Sequence, residues 1–197
     1  MKLYKLTRQS FTTYNDTLWG ENVTHEAYGE GTELCTEDVI HAYLSPELAV
    51  LFNPIHADYY NPVLWEAEGD IVVNDDNTKV GVKKLTTIKE IPLPNITRTQ
   101  RIAFGILCAL EVCNEEKFIS WANKWLSGED RSKKSAYAAY TAAYTSYYTS
   151  AASAASAASA AYAAYSADAS YYAAYYAAAN NKKLDLVSLA RKALEYN

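Results

Sequence analysis

The stretch SAYAAYTAAYTSYYTSAASAASAASAAYAAYSADASYYAAYYAAA, residues 135–179, is written in little more than four letters. It holds 22 Ala, 11 Tyr, 11 Ser or Thr and one Asp, Asp168. Alanine is the strongest helix former, and neither Gly nor Pro interrupts the run, so helix is predicted throughout. A heptad counted from Tyr137 places Tyr137, Tyr144, Ala151, Ala158, Tyr165, Tyr172 and Ala179 at a. Tyr140, Tyr147, Ala154, Ala161, Asp168 and Tyr175 then fall at d. Most Ser and Thr lie at b, c or f, which gives a narrow Tyr/Ala stripe with a hydroxyl-bearing back. As one helix, the 45 residues would extend about 68 Å. A domain of ~100 residues has a radius of gyration of only about 13 Å. The segment therefore either projects and pairs with identical rods, or folds back near SAASAASAASAA, residues 150–161. With no Gly or Pro to mark a hairpin, the sequence favours a single long helix over 129–181 that self-associates as a coiled coil or docks on a partner. Tyr137, Tyr140, Tyr144, Tyr147, Tyr165, Tyr172 and Tyr175 are its predicted oligomer interface. A short Thr141, Thr145, Thr149 row also hints at an ice-binding face, but the rest of that face is Ser.

Moving outward, Asn180-Asn181-Lys182-Lys183 ends the rod. Residues 182–197 then form an amphipathic helix capped by Asp185, with Leu184, Leu186, Val187, Leu189, Ala190 and Leu194 apolar. Upstream, residues 97–128 form a helical hub. Thr97 and Gln100 make a capping box before IAFGILCALEVC, which is apolar nearly all round and so belongs in a core. A second helix starts at Asn114-Glu115-Glu116, presents Phe118, Ile119, Trp121, Ala122, Trp125 and Leu126, and stops at Ser127-Gly128.

Residues 1–96 form a β-rich head domain, small and strongly bent, a half-barrel with one short helix. Strands are predicted at 3–6, 39–44, 63–69, 70–73, 78–83 and 84–91, separated by Gly29-Glu30-Gly31, Asn61-Pro62 and Asn74-Asp75-Asp76-Asn77. The helix is capped by Ser45, begins at Pro46, and is predicted to stop at Asn53-Pro54, leaving His56 in a loop. The fold class is α+β: this head, the helical hub, and the long Ala/Tyr-rich helix.

The net charge of −5, with no basic run longer than Lys133-Lys134, argues against nucleic acid as a partner. Residues 135–179 are no membrane span, because hydroxyls recur along the whole segment. The opening MKLYKLTRQSFTTYND lacks an apolar core, so no secretory signal is expected. Cys35, Cys108 and Cys113 form no CxxC pair and read as free thiols of a reducing cytoplasm.

The order MKLYK, a Gly-rich turn, ELCTEDVIHAYLSPELAVLF, LWEAEGDIV and KKLTTIKEIPLP resembles a family of small uncharacterised bacteriophage and prophage proteins. In that family a Gly-[FIW]-His-Ala-x segment precedes a short helix; here Val39 stands at the glycine, before Ile40-His41-Ala42-Tyr43. TRTQRIAFGILCALEV and WANKWLSGEDRS are similar to its longer members, and the tail matches only in style. The resemblance implies a viral accessory protein in the cytoplasm of a bacterial host, engaged in host–virus interaction. It transfers no activity.

Chemistry-bearing motifs are sparse. His25, His41 and His56 have no HxxxH or HExxH spacing, so no metal is expected. There is no P-loop, GxGxxG or GxSxG, no base stands near Cys35 in the sequence, and no cofactor is expected. Glu66 and Glu68, two apart on a strand, share a face and could act as an acid–base pair with His41. That trio loosely resembles an ADP-ribosyltransferase acting on a host target with NAD. The reading favoured over it is a non-enzymatic anti-defence binding protein. It would occlude a host defence protein or sequester a nucleotide-derived signal, using His41, Tyr43, Tyr59 and Trp65 on the head. A purely structural oligomer is the third reading.

Overall fold

The computed structural model describes residues 1–147, 151–166, 170–181 and 183–197, and leaves the side chains of 144–147, 151–153, 165, 166 and 170 undescribed. The chain is α+β and divides into two compact units, Met1–Asn95 and Ile96–Asn197.

The head is an antiparallel sheet of β1 (Lys2–Thr7), β2 (Val23–Glu26), β3 (Ile40–Ala42), β4 (Val63–Asp75) and β5 (Lys79–Ile91). The order is β1-β4-β5-β2, and β3 pairs with β5 beyond the end of β2. Where four short strands were predicted over 63–91, two strands of 13 residues form one hairpin. Its turn is set by Asp76 and Asn77 at φ 46° and 65°. That left-handed pair suits Asp and Asn, and it matches the twist of a hairpin. Register shifts at Glu66/Ala67, Gly69/Ile71 and Ile71/Val73 bend the hairpin strongly. The sheet is open, and an isolated antiparallel bridge joins β1 to the residue after β3, Tyr4 and Tyr43 exchanging backbone bonds of 3.0 and 2.8 Å. Leu3, Trp19, Ala42, Ala67, Val80, Val82 and Leu85 fill the interior.

Helix α1 (Pro46–His56) starts where expected, with the Ser45 hydroxyl accepting from the Leu48 amide at 3.2 Å. It does not stop at Pro54: His56 is its last residue, not a loop residue. A proline in the final turn forfeits a single amide donor. The Asn53 carbonyl still accepts from the Ala57 and Asp58 amides, and the Asn53 side chain clamps the Tyr59 backbone through two bonds.

In the second unit, α2 (Arg98–Leu110) carries the capping box and buries eight consecutive residues, Ile102–Ala109. Helix α3 (Glu116–Ser127) ends at Gly128, φ 81°. The expected single long helix is instead three: α4 (Lys133–Tyr147), α5 (Ala151–Ser166) and α6 (Ser170–Asn180). Consecutive members pack on one another, and both α5 and α6 pack on α2. The physical reason is α2 itself. A helix apolar all round needs cover on every side, and alanine faces permit interaxial distances near the short limit of 8 Å. Alanine does seam the helices closely, but to its own chain. The described side chains of α5, residues 154–164, are buried nearly all round, Ser156 included, whose hydroxyl donates to the Ala173 carbonyl at 2.7 Å.

The heptad stripe is therefore not a single face. Ala154, Ala158 and Ala161 are buried, but so are Ala136, Ala139 and Ala143 outside a and d. Tyr137, Tyr172 and Tyr175 face solvent at 51, 41 and 40% exposure. Tyr140 is half-buried, its ring 5.3 Å from that of Tyr162. The side chains of Tyr144, Tyr147 and Tyr165, and Asp168 as a whole, lie outside the described residues. Helix α7 (Leu186–Ala193), capped by the Asp185 carboxylate, docks on α2, and Gln100 Nε2 donates to the Leu194 carbonyl at 2.9 Å.

Candidate functional site

The head contains an open cleft of about 810 Å³. It is lined by β1, the segment between β1 and β2, β2, the β2–β3 loop, β3, the end of α1 and the start of β5. His25, His41 and His56, far apart in sequence, all face it, together with Lys5, Lys79, Cys35, Tyr43 and Tyr59. Tyr14 and Tyr28 stand at its rim, 79 and 90% exposed.

Lys5 is the most unusual group. It is only 9% exposed, and among the described residues no carboxylate pairs with it. Its ammonium donates to the His41 carbonyl at 2.7 Å and lies 5.3 Å from the centre of the Trp19 ring. Burial lowers its pKa to about 8. An ammonium removed from water without a counter-ion destabilises the fold, and an anion in the cleft would offset that.

The second cation is Lys79, 8% exposed at the start of β5. It lies 3.6 Å from the Asp75 carboxylate and donates to Cys35 Sγ at 3.2 Å. Cys35 belongs to the loop between β2 and β3 and adopts φ 65°. Its backbone N–H donates to His41 Nε2 at 3.1 Å, so that nitrogen is bare and the His41 proton resides on Nδ1. Asp38 and Lys83 hold this loop. The Asp38 carboxylate accepts from the Gly31 and Glu33 amides, and the Lys83 ammonium donates to the Gly29, Gly31 and Asp38 carbonyls.

The His41 and His56 imidazoles are neutral. Burial, then the nearby Lys79 and Lys5, lowers His41 to about 4. Burial, with Lys79 and His41, lowers His56 to about 3. The His56 ring stacks on Phe52 at 5.4 Å and on Tyr43 at 5.8 Å. Burial raises the phenols of Tyr43 and Tyr59, and Arg8 lies 5.2 Å over the Tyr59 ring. A cleft with two buried lysines, neutral His41 and His56 and protonated phenols has donors for an anion and aromatic surface for a ring.

His41, Tyr43 and Tyr59 of the sequence-based set come together in this cleft. Trp65 does not line it: the side chain is buried, with Nε1–H donating to Thr7 Oγ1 at 3.1 Å and Phe11 edge-on at 5.4 Å. Glu66 and Glu68 also lie outside it. Glu66 pairs with Lys2 at 2.9 Å on the surface and Glu68 is exposed, so the expected trio with His41 does not assemble. Lys5, Lys79, His56 and Cys35 were not legible as site residues. Lys79 and Cys35 are 44 positions apart, and no local spacing signals them. Lys5 shares a strand face with Leu3, and only the structure shows that face to be buried.

Among the described residues, no three His, Cys, Asp or Glu gather as a metal site, and no helix is long and apolar enough to cross a membrane. No family model, curated protein or solved structure matches the chain.

Proposed function

We propose that the head is a binding module that takes up an anionic, ring-bearing small molecule, a nucleotide-derived one, in its cleft. The observation that carries this is Lys5: a nearly buried ammonium, without a carboxylate partner among the described residues, beside aromatic walls. Lys5 and Lys79 would take the phosphate, and Tyr59 with the rim residues Tyr14 and Tyr28 would cover the ring. The sequence resemblance supports a setting: a bacteriophage-encoded protein that sequesters a nucleotide-derived defence signal in the bacterial cytoplasm. Sequestration needs tight binding without turnover, which suits the neutral His41 and His56. The transferase reading gains no support from Glu66 and Glu68, which stand apart from the cleft.

Self-association is a second part of the reading, favoured by Tyr137, Tyr172 and Tyr175, which are exposed on the helical unit. Sedimentation of the intact protein tests it, and a monomer at high micromolar concentration would remove it. The binding reading is tested by calorimetric titration with linear and cyclic mono- and dinucleotides, NAD and inorganic phosphate. At least one nucleotide should bind, and Lys5→Met should weaken it about tenfold or more, since a hydrogen bond to a charged group is worth ~1.5–3 kcal/mol. Absence of binding across the panel, or equal binding by the Lys5→Met protein, would overturn the assignment.

A further inference from the structure

Cys35 is not an isolated thiol. It lies on the lip of a cleft whose buried Lys5, on another strand, independently points to an anionic ligand. Its sulfur accepts a hydrogen bond from the ammonium of Lys79, itself nearly buried. Its amide is fastened to the neutral His41, and the residue is held at φ 65°, a conformation uncommon for a side chain other than Gly, Asn or Asp. Lys79 is committed both to Cys35 and to Asp75, so a cation is fixed beside the sulfur. Cys35 is exposed, whereas Cys108 and Cys113 are buried in the other unit. A cation 3.2 Å from the sulfur draws an anionic reagent to it.

We propose that Cys35 is a redox modification site that closes the cleft, forming a mixed disulfide with anionic low-molecular-weight disulfides. The thiol loses its proton to water, and the resulting thiolate attacks one sulfur of the incoming disulfide. A new S–S bond forms at Cys35, the old S–S bond breaks, and the second half leaves as a thiolate with the electron pair. No other oxidant is needed. The anionic adduct would lie against Lys79 and Lys5, in the place of the nucleotide-derived ligand. In this respect the inference rests on the proposed binding function, although the reactivity of Cys35 does not.

Two aromatic disulfides provide the test: dithiobis(nitrobenzoate), which is anionic, and dithiodipyridine, which is neutral. The folded protein should release one thiolate equivalent rapidly per chain, and Cys35→Ser should abolish that phase. Lys79→Met should slow the anionic reagent about tenfold and the neutral one clearly less. Circular dichroism of Lys79→Met confirms that the comparison is between folded proteins, and Lys79→Arg should recover most of the rate. The nucleotide identified by titration should protect Cys35, and the mixed disulfide should abolish its binding until dithiothreitol restores it. A fast phase surviving in Cys35→Ser, or equal slowing of both reagents, overturns the proposal. If Cys35 shows the charge preference but no nucleotide binds, the binding reading fails while Cys35 stands as an anion-selective thiol. If a nucleotide binds equally to the modified protein, the cleft-closing role is refuted and the binding reading survives.

Discussion

Replacing Lys5 by Met should stabilise the head at neutral pH while weakening ligand binding. Burial lowers the Lys5 pKa from 10.5 to about 8, which corresponds to about 3 kcal/mol of destabilisation wherever the group is charged in both states. The sign follows from proton counting. Between pH 8 and 10.5 the unfolded chain binds the proton that the folded one has released, so stability rises with pH across that window. The penalty is fully present below pH 8 and is gone above 10.5. Met removes the charge but leaves the His41 carbonyl without the 2.7 Å bond it accepts from Lys5, a loss of about 1–2 kcal/mol. The two effects predict a crossing: Lys5→Met is more stable than the parent by about 1–2 kcal/mol at pH 7, and less stable by a similar amount near pH 10.5. Urea denaturation of both proteins at several pH values, followed by fluorescence, measures the difference. The Trp19 ring lies beside the Lys5 ammonium and reports on the head directly. Titrations common to both proteins cancel in the subtraction. A mutant less stable than the parent at pH 7, or a stability difference independent of pH, would refute the claim that Lys5 is a buried, uncompensated cation.

Other expectations follow from the same geometry. Protonation of His41 and His56 is opposed by burial, with values of about 4 and 3, so the folded head should lose stability as pH falls from 6.5 toward 4. His41→Gln should flatten part of that slope in acid denaturation followed by circular dichroism. A Cβ added at Gly29 would lie 2.0 Å from Asp38 Oδ1. Gly29→Ala should therefore loosen the loop that holds Cys35, lowering thermal stability by about 1–3 kcal/mol and weakening nucleotide binding in titration. In the helical unit Ala160 is fully buried in α5, so Ala160→Leu should cost about 1–3 kcal/mol by overpacking. Tyr137→Ser, at a half-exposed position, should change thermal stability by no more than ~0.5 kcal/mol. A solvated rod would show the opposite ranking in self-association, with Tyr137 decisive and Ala160 silent.

Much of the local structure was legible because its causes are local. The cap at Ser45, the box at Thr97 and Gln100, the Gly128 stop and the helical state of the Ala/Tyr segment depend on residues within one or two turns. The turn at Asp76-Asn77 was equally readable, although the two strands flanking it were each split in two because bulges and Gly69 interrupt the alternation. The α+β class followed from the shift of composition along the chain. Where the Ala/Tyr segment turns back was not legible. The decision lies in α2, whose apolar circumference needs covering, and a rod read by itself has no knowledge of that demand. The cleft was half legible. His41 and Tyr43 stood together on the chain, whereas nothing in the sequence singled out Lys5. The meeting of Lys79 with Cys35, and of His56 with Tyr43, required the bent hairpin and the last turn of α1 to arrive at one place. Propensity and capping act over a few residues, so the sequence alone determines them. Burial, and the charge states it imposes on lysine and histidine, are properties of space that only the closed fold can define.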